Sequence, residues 1–252
     1  MQLSELKKHW HAFGKRDPLW AILTKPGTEN GGWDVDEFFK LGENDIDRLL
    51  NEIAALPLQL KRGKALDFGC GVGRLTQALC RHFQRCYGVD IARSMLRHAK
   101  RFNKYGRRCR YFLVKRADLS FLKSDQFDLI CSFLVLQHIN PQYSKPYLRE
   151  LLRVLAPGGA LCFQIPSHWT RVDCPAPRPI ERKSGANGNL LKNVIRSIKN
   201  RRTQPPFEPV MEMYGIPREE VIRFVAENGG RVLKVAEDFV PDWISCRYYV
   251  TK

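Results

Sequence analysis

The chain lacks any apolar run approaching the roughly 18 residues a membrane span requires, so no transmembrane helix is expected. Its eight cysteines include no C-x-x-C pair, and no pair of histidines stands beside them at zinc spacing. A zinc module and a dithiol redox motif are therefore excluded, and no metal ligands are assigned. Cys131 and Cys162 lie inside apolar runs, where a thiol behaves as a small hydrophobe. The cysteines read as reduced and buried in a cytoplasmic protein. The opening Met-Gln-Leu-Ser-Glu-Leu-Lys-Lys-His-Trp has no apolar core followed by small residues, so a secretory leader is not expected. Acidic residues are nearly missing from one stretch: residues 61–116 carry 16 Lys+Arg but only 2 Asp+Glu.

What is present is a globular composition, 44 % hydrophobic and 27 % charged over 252 residues. That rules out wholesale disorder and a fibrous chain, and it allows a sizeable core. The net charge is +16. The densest basic block runs through Arg97, Lys100, Arg101, Lys104, Arg107, Arg108 and Arg110 to Lys115 and Arg116. Such a block can attract nucleic acid, anionic lipid or an acidic substrate. The plainer reading is a solvated helix face and the loop after it. Tyr111 and Phe112 in the block continue into Leu113 and Val114 as strand residues entering a core.

Four segments follow from the patterning. Residues 1–60 read as a helical cap rich in Trp and Phe, with one amphipathic helix from about Asp45 to Ala55. Residues 61–165 alternate short apolar runs with helical stretches, which implies a parallel sheet covered on both faces. Residues 166–215 form a Pro-rich basic insert, read as a lid. Seven of the chain's 15 prolines fall at 166, 175, 177, 179, 205, 206 and 209. Within the insert, Leu190, Leu191, Val194, Ile195 and Ile198 make one helical face. It is read as packing on the main domain, with a membrane-surface helix as the alternative. Residues 216–252 supply a helix and two strands too close together for a crossover helix. They must pair antiparallel, or one must insert antiparallel between other strands.

The sharpest signal is Leu66-Asp67-Phe68-Gly69-Cys70-Gly71-Val72-Gly73-Arg74, a strand running through a glycine turn into a helix. Glycines let a ligand approach backbone, and a helix start offers free N–H groups. A dinucleotide fingerprint would place glycine where Arg74 stands. The shorter G-x-G-x-G with an acidic Asp67 suits a nucleoside carrying an amino-acid tail. Asp90 ends the second strand, nineteen residues after Gly71. A carboxylate there can accept both ribose hydroxyls, or can cap the next helix. Asp118, in Ala117-Asp118-Leu119, follows the third strand, where it can meet an adenine amino group or make a turn. Leu155-Ala-Pro-Gly-Gly-Ala160 joins a helix to the fifth strand.

In this order and spacing the four elements resemble class I S-adenosylmethionine-dependent methyltransferases over about residues 60–165. Asp17-Pro18-Leu19-Trp20, Trp33-Asp34 and Gly215-Ile216-Pro217 also resemble a bacterial subgroup of methyltransferase-domain proteins. The resemblance implies a Rossmann-like, doubly wound, seven-stranded sheet with a reversed last strand, and S-adenosyl-L-methionine as cofactor. It implies that Asp67, Gly69, Gly71 and Gly73 hold the methionine part and Asp90 the ribose. Ile91 would pack on the adenine, Asp118 with Leu119 would meet its amino edge, and Phe133 and Leu134 would pass near the sulfonium. Trp33 would close over the cofactor or serve as a core residue.

The candidate general bases are His138, just beyond the fourth strand, and His168, after the fifth. A small-molecule or glycan acceptor, methylated on O or N, is the leading reading. RNA or DNA bound through the 97–116 block is a second reading, although Cys131-Ser132-Phe133-Leu134 lacks the Asn/Asp-Pro-Pro-aromatic signature of many nucleic-acid amino methyltransferases. A non-catalytic binding protein on the same scaffold is a third.

Overall fold

A computed structural model describes residues 1–170, 207–240 and 243–252, without the side chains of 239 and 240. The amphipathic stretch 189–200 and most of the expected insert lie outside the described residues. In chain order the elements are α1 (Leu3–Arg16), α2 (Pro18–Ile22), α3 (Val35–Ala54), β1 (Lys64–Phe68), α4 (Arg74–Leu79), β2 (Arg85–Asp90), α5 (Arg93–Phe102), β3 (Cys109–Leu113) and β4 (Phe127–Ser132). They continue with α6 (Pro141–Val154), β5 (Leu155–Trp169), α7 (Arg218–Glu227), β6 (Arg231–Val240) and β7 (Trp243–Thr251).

The strands form one seven-stranded sheet in the order β3-β2-β1-β4-β5-β7-β6. Neighbours among β1 to β5 pair parallel, and β7 inserts antiparallel between β5 and β6. This is the doubly wound, Rossmann-like sheet with a reversed last strand. Side chains alternate across it with period two. Leu66, Phe68, Ile130, Leu161, Phe163, Tyr248 and Val250 pack with α6 and α7 on one face. Ala65, Leu129, Cys131, Cys162 and Tyr249 pack with α3 and α4 on the other. All seven cysteines among the described residues are free and buried. No helix among the described residues is long and apolar enough to cross a membrane.

Two elements outrun their sequence patterns. The helix expected from about Asp45 begins at Val35, because Asp34 caps it by accepting the Glu37 N–H at 2.7 Å. Its inward stripe is Phe38, Gly42, Ile46, Leu49 and Ile53, and the glycine interrupts the apolar signal. β5 passes through Pro166 to Trp169 with a bulge between Pro166 and His168. Pro166 is tolerated because β4 pairing stops at Phe163 and the Pro166 carbonyl turns away from β7 to accept the Ile216 N–H at 2.9 Å.

The N-terminal helices sit directly on the core. Gly14 of α1 lets that helix meet α5, where Ser94 Oγ donates to the His11 carbonyl at 2.8 Å. Gly42 of α3 lies against Arg74 of α4. A Cβ on Gly14 would stand 3.0 Å from the Met95 nitrogen, and one on Gly42 would stand 3.0 Å from the Arg74 carbonyl oxygen. Gly→Ala in a helix normally gains up to about 1 kcal/mol. Here both Gly14→Ala and Gly42→Ala are expected to lose about 1–3 kcal/mol in urea denaturation, since backbone cannot yield as a side chain can. A gain in either variant would contradict this packing.

Candidate functional site

The glycine turn after β1 and the carboxyl end of β2 are fastened together by one carboxylate. Asp90 Oδ2 accepts the Gly71 N–H at 2.9 Å, and Oδ1 accepts the Ala92 N–H at 2.7 Å. The Val89 carbonyl accepts from Gly69 and Cys70 at 2.8 and 3.0 Å. Desolvation outweighs these N–H bonds and raises the Asp90 pKa to about 6.

Around this carboxylate opens a cavity lined by Leu6 and Trp10 of α1, Ile22 of α2, Phe68, Gly69, Gly71, Val89, Ile91 and Val114, with Phe133, Leu134, Val135 and Ile139 after β4. Its walls are apolar apart from Asp90. Gly69 and Gly71 have φ of 77° and 52°. A Cβ on Gly69 would stand 2.3 Å from Val135 Cγ2, and one on Gly71 would stand 2.6 Å from Ile22 Cδ1. Both positions therefore require glycine twice over, for backbone and for space. Leu134 also has a positive φ, 59°, a conformation that costs a non-glycine residue about 1–3 kcal/mol and gathers at functional sites. Leu134 walls the cavity at Asp90 and two neighbouring clefts.

The sequence-derived residues divide between those on the cavity and those off it. Gly69, Gly71, Asp90, Ile91, Phe133 and Leu134 line it together. Asp67 is buried behind the turn, where it accepts from Thr76 Oγ1 at 2.6 Å, and burial raises its pKa to about 6. Gly73, with φ of 85°, starts α4 beneath the Tyr111 hydroxyl. Asp118 is not among the residues lining the cavity: its Oδ1 accepts from Ser120 N at 3.1 Å and Ser120 Oγ at 2.7 Å, which is the turn arrangement, and these bonds lower its pKa. Leu119 is fully buried in the core. Trp33 packs edge-on against Phe38 and donates its indole N–H to the Leu23 carbonyl at 3.0 Å, so it walls a neighbouring cleft rather than the cavity itself. His168 is exposed on the bulged end of β5.

His138 lies in the same cleft as Trp33, with Gln137, Met211 and Met213. Its Nδ1 donates to the Glu212 carbonyl at 2.7 Å, which leaves Nε2 to accept from the Gln137 amide at 3.3 Å. Burial lowers its pKa to about 4. It is an uncharged ring at neutral pH, engaged on both nitrogens, that ties the turn after β4 to residue 212.

Leu6, Trp10, Ile22, Val135 and Ile139 were not assigned to a site by sequence reasoning. Leu3, Leu6, Trp10 and Phe13 do recur at helical spacing, which marks an inward face without saying what it covers. Part of the basic block is spent internally: Arg108 donates to the Cys80, Phe83 and Gln84 carbonyls, and Tyr111 is buried.

Residues 65–159 match a family model described as a methyltransferase domain. Malonyl-[acyl-carrier protein] O-methyltransferase of Halorhodospira halophila is 36 % identical over 132 residues, covering 51 % of this chain and 42 % of that protein. Trans-aconitate 2-methyltransferase of Methylobacterium nodulans is 28 % identical over 156 residues, covering 61 % and 56 % respectively. The chain spans about half the length of these curated relatives. Among solved structures, magnesium protoporphyrin IX methyltransferase from Synechocystis with bound SAH superposes at a TM-score of 0.60, covering 100 % of both chains at 17 % identity, a likeness of fold.

The titration of His138 sets a stability trend. Its folded pKa, about 4, lies below the ordinary 6.5. The unfolded chain therefore takes up the proton first as pH falls, and this group's contribution is lost between pH 6.5 and 4. His138→Asn keeps a donor for Glu212 and removes the titration. Its melting temperature is expected to fall less steeply than wild type from pH 6.5 to 4.5. Parallel curves would show that His138 protonates freely in the folded protein.

Proposed function

We propose that this chain, whose residues 65–159 belong to the class I S-adenosylmethionine-dependent methyltransferases, transfers the methyl group of S-adenosyl-L-methionine to an oxygen or nitrogen of a small-molecule acceptor. The observation that carries this proposal is Asp90, a lone carboxylate in an apolar cavity, beside two glycines whose bare backbone forms part of the cavity wall because no Cβ fits there. These residues fit the cofactor. Each Asp90 oxygen accepts one backbone N–H and keeps acceptor capacity for a ribose hydroxyl. Ile91, Val89 and Val114 offer an apolar wall for adenine, and Gly69 and Gly71 allow close approach of the methionine portion. When bound, the cofactor supplies an activated methyl on a sulfonium, displaced in line by the acceptor.

The chain's own part is alignment and exclusion of water. Leu6, Trp10 and Ile22 roof the cavity from the N-terminal helices. Phe133 and Leu134 stand where the cavity meets the neighbouring clefts, so the acceptor would approach past them. Holding two reactants in register can be worth about 7–11 kcal/mol. With His138 neutral and engaged on both nitrogens, the described residues of this cleft present no unengaged imidazole or carboxylate to take a proton. The acceptor atom would then already be an anion or a free lone pair. The relatives named for malonyl-[acyl-carrier protein] and trans-aconitate support an acidic acceptor, and the second of them a small one.

S-adenosylhomocysteine, at about 100 times its dissociation constant, should add about 2.7 kcal/mol of stability, or about 5–10 °C in melting temperature. Gly69→Ala should abolish this shift. Absence of any shift in wild type would favour a scaffold without cofactor. A second outcome follows from Asp90. A ribose hydroxyl favours the ionised carboxylate, so affinity should rise with pH through about 6 and level off above 7. Calorimetry at pH 5 should give binding about tenfold weaker than at pH 7.5. Equal affinities would remove Asp90 from the ligand.

A further inference from the structure

We infer that the acceptor carries a carboxylate and that a pocket built by Arg74, Arg247 and Gln164 grips it. The inference rests on the methyltransferase proposal above. Beside Phe133 and Leu134, a second pocket of 160 Å³ is lined by Asp45, Arg48, Arg74, Gln164 and Arg247. At about 30 Å³ per water, it has room for a carboxylate and a short carbon chain.

The donors in this pocket are incompletely used. The Arg74 side chain is only 6 % exposed and its Nη1 pairs with Asp45 at 2.5 Å. Arg247 pairs through Nη2 with Asp238 at 2.8 Å and through Nη1 with Glu52 at 3.5 Å, and its guanidinium lies 5.6 Å above the Phe133 ring. The Nε of each arginine is nevertheless buried with no hydrogen-bond partner. Gln164 is buried on the pocket wall, and its amide makes no hydrogen bond among the described residues. Arg48 at the rim is exposed and has no ion-pair partner among the described residues. A buried donor left without a partner destabilises the fold until a ligand satisfies it, and a guanidinium edge matches a carboxylate's two oxygens. Asp45, Glu52 and Asp238 offset the three arginines in charge, so recognition comes from short-range hydrogen bonding to guanidinium and amide groups rather than a long-range field. A ligand held here lies beside Phe133 and Leu134, which also line the cavity at Asp90. A carboxylate nucleophile also needs no base, in keeping with the engaged state of His138.

The cofactor has a carboxylate of its own, and the test separates the two sources. Calorimetry on the full chain would titrate S-adenosylhomocysteine first. Malonate, succinate and glutarate, each against its diamide, would then be titrated into the saturated protein. Wild type is expected to bind at least one diacid and none of the diamides. Arg247→Lys keeps the charge facing Glu52 and Asp238 but loses the planar fork, and Arg48→Gln alters an exposed rim residue with no partner to orphan. Diacid affinity is expected to fall about tenfold in Arg247→Lys and by a smaller factor in Arg48→Gln, with S-adenosylhomocysteine affinity unchanged. Weakened S-adenosylhomocysteine with unchanged diacid binding would assign the pocket to the cofactor and overturn the inference. So would wild type that binds S-adenosylhomocysteine but no diacid. Failure to bind S-adenosylhomocysteine at all would instead overturn the methyltransferase proposal beneath it.

Discussion

One carboxylate organises this molecule. Asp90 closes β2 by accepting the amides of Gly71 and Ala92, so the turn after β1 and the turn after β2 share an anchor. That anchor places the glycine turn against Ile22 and Val135, leaving no space for a Cβ at Gly71 or Gly69. The cavity follows from these clashes: its floor is backbone because side chains cannot fit there. The cost is a half-buried carboxylate whose pKa rises to about 6, a group poised to gain from any ligand hydroxyl that solvates it.

Leu134 divides the space beyond. Its backbone is held at φ 59°, and it walls the cavity at Asp90, the cleft with Trp33 and His138, and the pocket with Arg74 and Arg247. The apolar cavity is suited to a nucleoside, the arginine pocket to an acid, and their common wall is where two reactants would meet. Trp10 serves both sides: it lines the cavity and packs 5.4 Å from the His138 ring.

What was legible in the sequence was local. The sheet, its reversed strand, the glycine turn and Asp90 could be read because strand periodicity and a nineteen-residue spacing sit within a short stretch of chain. Asp118 could not be settled there, since a turn aspartate and a ligand aspartate have the same sequence context; in the fold its Oδ1 accepts from both Ser120 N and Ser120 Oγ. Leu6 and Trp10 join the cavity through the docking of α1 on α5, across more than 80 positions, and Ile22 joins it from α2. Gln164 and Arg247 lie on β5 and β7, where a polar residue in a strand reads simply as an outward-facing position. They become a site because β7 inserts beside β5 with Gln164 opposite Arg247. The length of α3 was hidden by Gly42, which looks like a break and is a contact.

The most direct measurement of the central claim is a crystal structure of the full chain with S-adenosylhomocysteine. The expected result is the ribose hydroxyls on the Asp90 carboxylate, the adenine against Ile91 and the amino-acid end along Gly69 and Gly71. A nucleoside bound away from Asp90, or an Asp90 carboxylate still occupied only by Gly71 and Ala92, would contradict it.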